Sequence, residues 1–117
     1  MRESKRDIER LRHMQEAILR IEQYTQGVST LEEFIQNGMV YYAVVMNITI
    51  IGEAANLLTF EFRETHPQTA WKQVIGMRNY IIHEYFQVDD VVVWDTIKVD
   101  IPLLHRQVNQ YIDELKD

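Results

Sequence analysis

The sequence predicts an all-α protein, an antiparallel bundle of four to five helices that forms a single domain over residues 1–117. Three observations support this fold class. Apolar residues recur at three- and four-residue steps along most of the chain, as in Ile8, Leu11, Ile18 and Ile21. The 4 Gly and 2 Pro are too few for the tight turns of a sandwich or barrel. The 46% hydrophobic content is enough to bury one core.

Start and stop signals bound the first two helices. Ser4 resembles an N-cap for the first helix, which is expected to stop at Gly27. Ser29 and Glu32 have the spacing of a capping box for a short second helix. That helix is expected to end at Asn37 and Gly38.

The later helices are longer. A third is expected over about residues 39–65 and a fourth over about residues 71–85. Asp89 or Asp90 is expected to cap the last helix, which Pro102 should kink or split. Because the third helix is apolar on more than one face, we expect it to pack against several neighbours or against a second copy of the chain. The long helices are therefore the predicted dimer contacts.

Charge and composition restrict the function classes. A net charge of −6 argues against nucleic-acid binding through a broad basic surface, although a local basic cleft can still hold a phosphate. The absence of cysteine excludes disulfides and thiolate zinc sites and fits a cytoplasmic protein. The densely charged N-terminal segment is not a secretory signal, and the apolar stretch over residues 39–51 is shorter than a typical membrane span.

The sequence offers no metal site of recognisable spacing. His83-Glu84 begins like a zinc-protease helix, but Gln87 stands where the second histidine should be. The remaining histidines are far apart in the chain, so we expect no metal cofactor. Four acidic residues near the last helix could in principle hold magnesium, but a helix cap and a solvated face explain them better: Asp89, Asp90, Asp95 and Asp100.

Glu53 is unusual because it lies in the most apolar helix, within "IIGEAANLL". A carboxylate there should be paired, since an isolated buried charge is costly. One explanation is a salt bridge that orders the core, and a more specific one is that Glu53 orients Arg78. The neighbouring Gly52 is expected to mark close helix packing.

The stretch "MRNYIIHEY" combines an apolar stripe with polar chemistry. Arg78 lies on the stripe, where a guanidinium must meet a carboxylate or a phosphate. His83 lies about 140° from Arg78 on an ideal helix, so either the helix loosens near His83 or two protomers combine their residues. His83 could simply be structural. Together, however, arginine and histidine suffice for RNA cleavage in which the 2′-hydroxyl is the nucleophile.

These residues and their surroundings resemble the HepT-like toxins of the HEPN superfamily. The motif R-x4-H-x-Y matches Arg78, His83 and Tyr85, and "IIGEAANLL", "GMRNYIIHEYFQVD", "VWDTI" and "DIPLL" match the family's text in order. The resemblance implies an all-α homodimer that acts as a metal-independent endoribonuclease. It implies catalytic roles for Arg78 and His83 and a supporting role for Asn79. Glu84 stands where relatives often have glycine.

The resemblance also implies a regulatory partner. The implied system is a type VII-like toxin–antitoxin pair, in which an MNT-type nucleotidyltransferase antitoxin transfers AMP from ATP to Tyr85. An anionic nucleotide on Tyr85 would occupy the phosphate site beside Arg78 and block RNA. Two alternatives stay open from the sequence: a non-catalytic helical module that binds the nucleotidyltransferase, and a plain nucleotide-binding domain.

Overall fold

The predicted all-α helical bundle is confirmed by a computed structural model, which describes residues 2–116 and the side chains of residues 6–116. The helices are α1 (Arg2–Tyr24), α2 (Leu31–Gln36), α3 (Gly38–Asn56), α4 (Phe60–Thr65), α5 (Trp71–His83), α6 (Asp90–Asp95) and α7 (Ile101–Leu115). The four long helices α1, α3, α5 and α7 build the bundle, and the three six-residue helices connect them. The N-cap predicted at Ser4 is wrong, because α1 begins at Arg2 and Ser4 lies within the helix.

α3 is the central helix, with α1 on one side and α5 on the other, and α7 packs against α1. Its buried face includes Val44, Ile48 and Ile51. Another face of α3 is exposed although it carries Met39 and Tyr42. In length and composition α3 could cross a membrane, a test that core helices of soluble proteins also pass.

The single helix predicted over residues 39–65 is in fact two helices. α3 ends at Asn56, and the hydroxyl of Thr59 caps α4 by accepting a hydrogen bond from the Phe62 N–H at 3.1 Å. Asp7 of α1 is 5% exposed and accepts from both the backbone N–H and the hydroxyl of Thr59, each at 2.8 Å. These hydrogen bonds from a distant helix fix Thr59 in a non-helical backbone conformation. The helix is therefore interrupted here, although the local sequence pattern favours one continuous helix.

The capping box of α2 is one residue later than predicted. Glu33 donates its N–H to the hydroxyl of Thr30 at 3.1 Å, and the Glu33 carboxylate accepts from the N–H groups of Ser29 and Thr30 at 2.9 and 3.1 Å. These hydrogen bonds, of which the one from Ser29 has the largest effect, hold the pKa of Glu33 below its ordinary value. The prediction of Ser29 with Glu32 was wrong because both pairs have the same spacing, and Thr30 is the residue in the extended conformation.

The last predicted helix, in which Pro102 was expected to cause a kink or a split, is interrupted by a π turn just before Pro102. Asp89 is the cap of α6, where its carboxylate accepts from the Val91 N–H at 2.9 Å. A π-helical turn over Thr96–Asp100 then leads into α7. Proline has no N–H to continue an α-helical ladder, and the N–H of Ile101 reaches back to the carbonyl of Thr96 instead.

Candidate active site on the fifth helix

α5 packs closely against α3 where Arg78 lies over Gly52. A Cβ atom at Gly52 would overlap the Cβ of Arg78 and would lie 3.1 Å from its Cγ and 3.2 Å from the carbonyl oxygen of Val74. Gly52 therefore marks close helix packing, as the sequence indicated. The missing side chain at Gly52 is what lets the stem of Arg78 lie in the seam between the two helices.

The guanidinium of Arg78 has two partners. Its Nη2 lies 3.6 Å from Oε1 of Glu53, and its Nη1 donates to Oδ1 of Asn79 at 2.8 Å. Its Nε is buried and has no hydrogen-bond partner among residues 6–116. The structure thus brings together three of the predicted site residues, including the pair of Glu53 with Arg78.

Glu53 itself is not buried, contrary to the expectation from its apolar neighbours. Its side chain is 49% exposed, because it lies on the outer face of α3 beside the seam. A carboxylate in that position keeps much of its hydration, so the ion pair with Arg78 is a partly solvated contact. Glu53 therefore holds the guanidinium from one side without enclosing it.

His83 is the last residue of α5 and is exposed. The helix ends there because Glu84 leaves the helical conformation, with φ −114° and ψ 34°. That φ is negative, so this position does not require glycine. The helix thus loosens after His83, and the residues that change direction are those of the following turn, Tyr85 among them. Arg78 and His83 both remain within α5 and still point to different sides of it.

Tyr85 and Phe86 follow in a 3₁₀ turn over residues 85–87 and project into solvent. Tyr85 is 63% exposed and Phe86 is 94% exposed, and their rings meet edge to face at 5.2 Å. Neither His83 nor Tyr85 forms a hydrogen bond or ion pair with Arg78 within the described side chains. The predicted site residues therefore do not form a closed pocket within one protomer.

Tyr80 was missed by the sequence interpretation. Its hydroxyl accepts a hydrogen bond from the backbone N–H of Asp89 at 2.8 Å, which ties the far end of the turn back to α5. Nearby, burial and a hydrogen bond with Asp90 raise the pKa of Tyr41. The only sequence signal was that Tyr80 lies nine residues before a predicted cap, which does not specify a contact.

The other histidines serve helix packing or lie on the surface. His66 lies 3.4 Å from a carboxylate oxygen of Glu114, and His105 lies 2.8 Å from one of Glu22. Within residues 6–116, no three His, Asp or Glu side chains converge as a ligand set for a metal ion.

Known proteins resemble this chain along most of its length. The HepT-like family, described as "Ribonuclease HepT-like", matches residues 14–111. A protein of Methanocaldococcus jannaschii named "Putative RNase MJ1380" is 37% identical over 106 residues, which cover 90% of this chain and 96% of the relative. "Probable ribonuclease HepT" of Thermococcus cleftensis is 38% identical over 94 residues, or 80% of this chain and 84% of the relative. The comparison with solved structures gives no match. The chain therefore belongs to the HepT-like ribonuclease family.

Proposed function

We propose that this chain is a metal-independent endoribonuclease of the cytoplasm, with Arg78 and His83 as its catalytic residues. In the proposed reaction the 2′-oxygen of the substrate attacks the adjacent phosphorus and the 5′-oxygen leaves, which yields a 2′,3′-cyclic phosphate. His83 acts as base or acid by taking the 2′-hydroxyl proton or supplying one to the 5′-oxygen. Arg78 stabilises the charge that builds on the phosphate oxygens.

The observation that carries this proposal is the state of Arg78. A guanidinium in a helix seam is permanently charged, yet here it faces only a half-exposed carboxylate at 3.6 Å and one amide oxygen. A phosphate can approach its exposed edge while Glu53 and Asn79 keep it oriented. Both residues are therefore assigned supporting roles.

The proposed active form is a homodimer. Arg78 and His83 point about 140° apart on one helix, so residues from two protomers are needed to complete a site around one phosphate. A surface is present for this contact: the outer face of α3 exposes Met39, Tyr42 and Met46, all large apolar or aromatic side chains. Exposed apolar patches of this kind mark association surfaces.

Replacing Met46 with glutamate should therefore convert the dimer into a monomer and lower RNA cleavage in parallel. Met46 is exposed in the protomer, so the change should leave the fold intact. Leu19→Glu on α1 is the matched control, since Leu19 is also an exposed apolar residue but lies on another helix. Sedimentation velocity and cleavage rate are measured together. A wild-type monomer that cuts RNA at full rate would contradict the dimer.

We further propose that the protein is the toxin of a type VII-like toxin–antitoxin pair and that an MNT-type nucleotidyltransferase silences it. The phenol oxygen of Tyr85 would attack the α-phosphorus of ATP, and pyrophosphate would leave. Tyr85 is exposed enough for another enzyme to reach it. The attached AMP would bring a phosphate anion to the edge where Arg78 is expected to bind RNA.

Treatment with the nucleotidyltransferase and ATP should silence the wild type but not Tyr85→Phe. Both proteins should cut RNA in EDTA before treatment, because the substitution removes only the exposed hydroxyl. Cleavage is followed on gels, and AMP addition is followed by intact-protein mass spectrometry. Silencing of Tyr85→Phe to the same extent would exclude Tyr85 as the switch.

The same assay distinguishes the ribonuclease from the alternative of a non-catalytic module that only binds the nucleotidyltransferase. The ion pair between Glu53 and Arg78 is compatible with that alternative, since it could serve packing alone. Absence of RNA cleavage by the untreated wild type, together with binding to the nucleotidyltransferase, would favour the module over the ribonuclease.

A further inference from the structure

Phe86 is the most exposed large apolar side chain among residues 6–116, with 94% of its surface open to solvent. A single exposed apolar residue is not unusual in itself. This one, however, follows His83 by three residues, so its Cα atom lies within about 11 Å of that of His83. Its ring meets that of Tyr85 edge to face at 5.2 Å, which leaves at least one face of the Phe86 ring free for a further aromatic contact.

The turn that carries Phe86 is held by three hydrogen bonds. The backbone N–H groups of Glu84 and Gln87 donate to the carbonyl oxygens of Tyr80 and Glu84, at 2.9 and 2.8 Å. The N–H of Asp89 donates to the phenol oxygen of Tyr80 at 2.8 Å. The ring is therefore presented from a fixed backbone, which lowers the entropy that is lost when a ligand binds to it.

The charges of this segment determine which part of an RNA it can bind. Residues 79–97 contain no lysine or arginine and carry four carboxylates, those of Glu84, Asp89, Asp90 and Asp95. Carboxylates repel phosphates, so this segment cannot hold an RNA by its backbone. A nucleobase is neutral, and it stacks on an aromatic ring without the help of a positive charge. The contact with RNA that remains open to this segment is therefore a contact with a base.

The surroundings of the ring suit a base better than a protein partner. A stable contact between proteins buries about 800 Å² on each side around an apolar centre. Next to Phe86 in the chain, Glu84 and Gln87 are exposed and polar. The apolar side chains that follow outward along the chain, Ile82 and Val91, are each about half buried. Phe86 thus stands out as a single ring, and one ring is enough to stack on one base.

We propose that Phe86 stacks on a nucleobase next to the phosphate that is cut, an inference that rests on the proposed ribonuclease function. Arg78 would bind the phosphate, and Phe86 would hold the neighbouring base in place of a basic surface. In a duplex the bases are paired and stacked on one another, so the ring can reach a base only in a single strand or a loop. The preferred substrate is therefore single-stranded RNA.

Binding is measured on the whole protein in EDTA with a fluorescent 2′-O-methyl octaadenylate, which has no free 2′-hydroxyl and cannot be cut by the proposed reaction. Phe86→Leu keeps an apolar side chain but removes the aromatic face, so the affinity should fall by about 10-fold, the usual effect of losing one stacked base. Phe86→Trp should bind at least as tightly as the wild type. The loss with Phe86→Leu should be the same at low and high salt, because stacking involves no ion pair. With the oligonucleotide in a duplex, wild type and Phe86→Leu should have equal affinities.

Phe60→Leu is the matched control, since Phe60 is also an exposed phenylalanine but begins α4, and its replacement should leave binding unchanged. Circular dichroism and sedimentation velocity report the fold and the assembly of each variant. Equal affinities of the wild type and Phe86→Leu for the single strand, or no binding by the wild type, would overturn the proposal. A change of assembly with Phe86→Leu would assign the ring to a contact between protomers and would overturn it as well. Because the probe is not cut, these outcomes are separate from a failure of the ribonuclease, which is read from unmodified RNA.

Discussion

His83→Ala should lower the rate of RNA cleavage by about 10²–10⁴-fold, the usual contribution of a positioned general acid or base. His83 is exposed at the end of α5 and forms no hydrogen bond within the described side chains, so its removal should cost the fold little. Loss of activity would therefore report on chemistry and not on stability.

The assay is run in EDTA with an RNA substrate and with the same sequence carrying a single deoxynucleotide at the cut site. The wild type should cut only the all-RNA substrate, because the deoxy substrate lacks the nucleophile. His13→Ala is the control, since His13 is also exposed on a helix surface but lies on α1. Full cleavage by His83→Ala would remove His83 from the site. Cutting of the deoxy substrate at the same bond would exclude attack by the 2′-hydroxyl.

Much of the fold followed from the sequence because its signals are local. Helical periodicity identifies the long helices, and Pro102 and Asp89 mark boundaries through local effects, the missing N–H of proline and the capping carboxylate of Asp89. The break between α3 and α4 was missed because it depends on Asp7, which binds Thr59 from 52 residues away in the chain. No local pattern around Thr59 contains that partner.

The candidate site was predicted only in part, because some of its contacts have local signals in the sequence and others depend on distant residues. Gly52, Glu53 and Arg78 could be matched because a glycine and a carboxylate in an apolar helix both require a neighbour. The exposure of Glu53 could not be predicted, since it depends on which face of α3 the other helices leave uncovered.

Gly52→Ala should lower the free energy of unfolding by about 1–3 kcal/mol, the typical cost of overpacking a close helix contact. The added methyl group would overlap the Cβ of Arg78 and approach the Val74 carbonyl oxygen to 3.2 Å. Neither obstacle is the flexible end of a side chain, so α5 must shift away from α3. Urea denaturation followed by circular dichroism measures the change.

Gly76→Ala is the matched control on α5. A Cβ atom at Gly76 meets no atom within 4 Å, so alanine should there stabilise the helix by about 0.5–1 kcal/mol. The two substitutions add the same methyl group and should have opposite signs. A Gly52→Ala protein as stable as the wild type would show that the seam can widen without cost.

The same substitution also tests whether the seam positions Arg78 for catalysis. A shift of α5 moves the guanidinium away from Glu53 on α3, whereas Gly76→Ala leaves that contact in place. Cleavage is compared at a temperature where both variants are fully folded. We expect Gly52→Ala to lose at least about 10-fold in rate, because small misplacements of a phosphate-binding group are costly. Equal rates for the two folded variants would mean that the close approach of α3 and α5 serves stability alone.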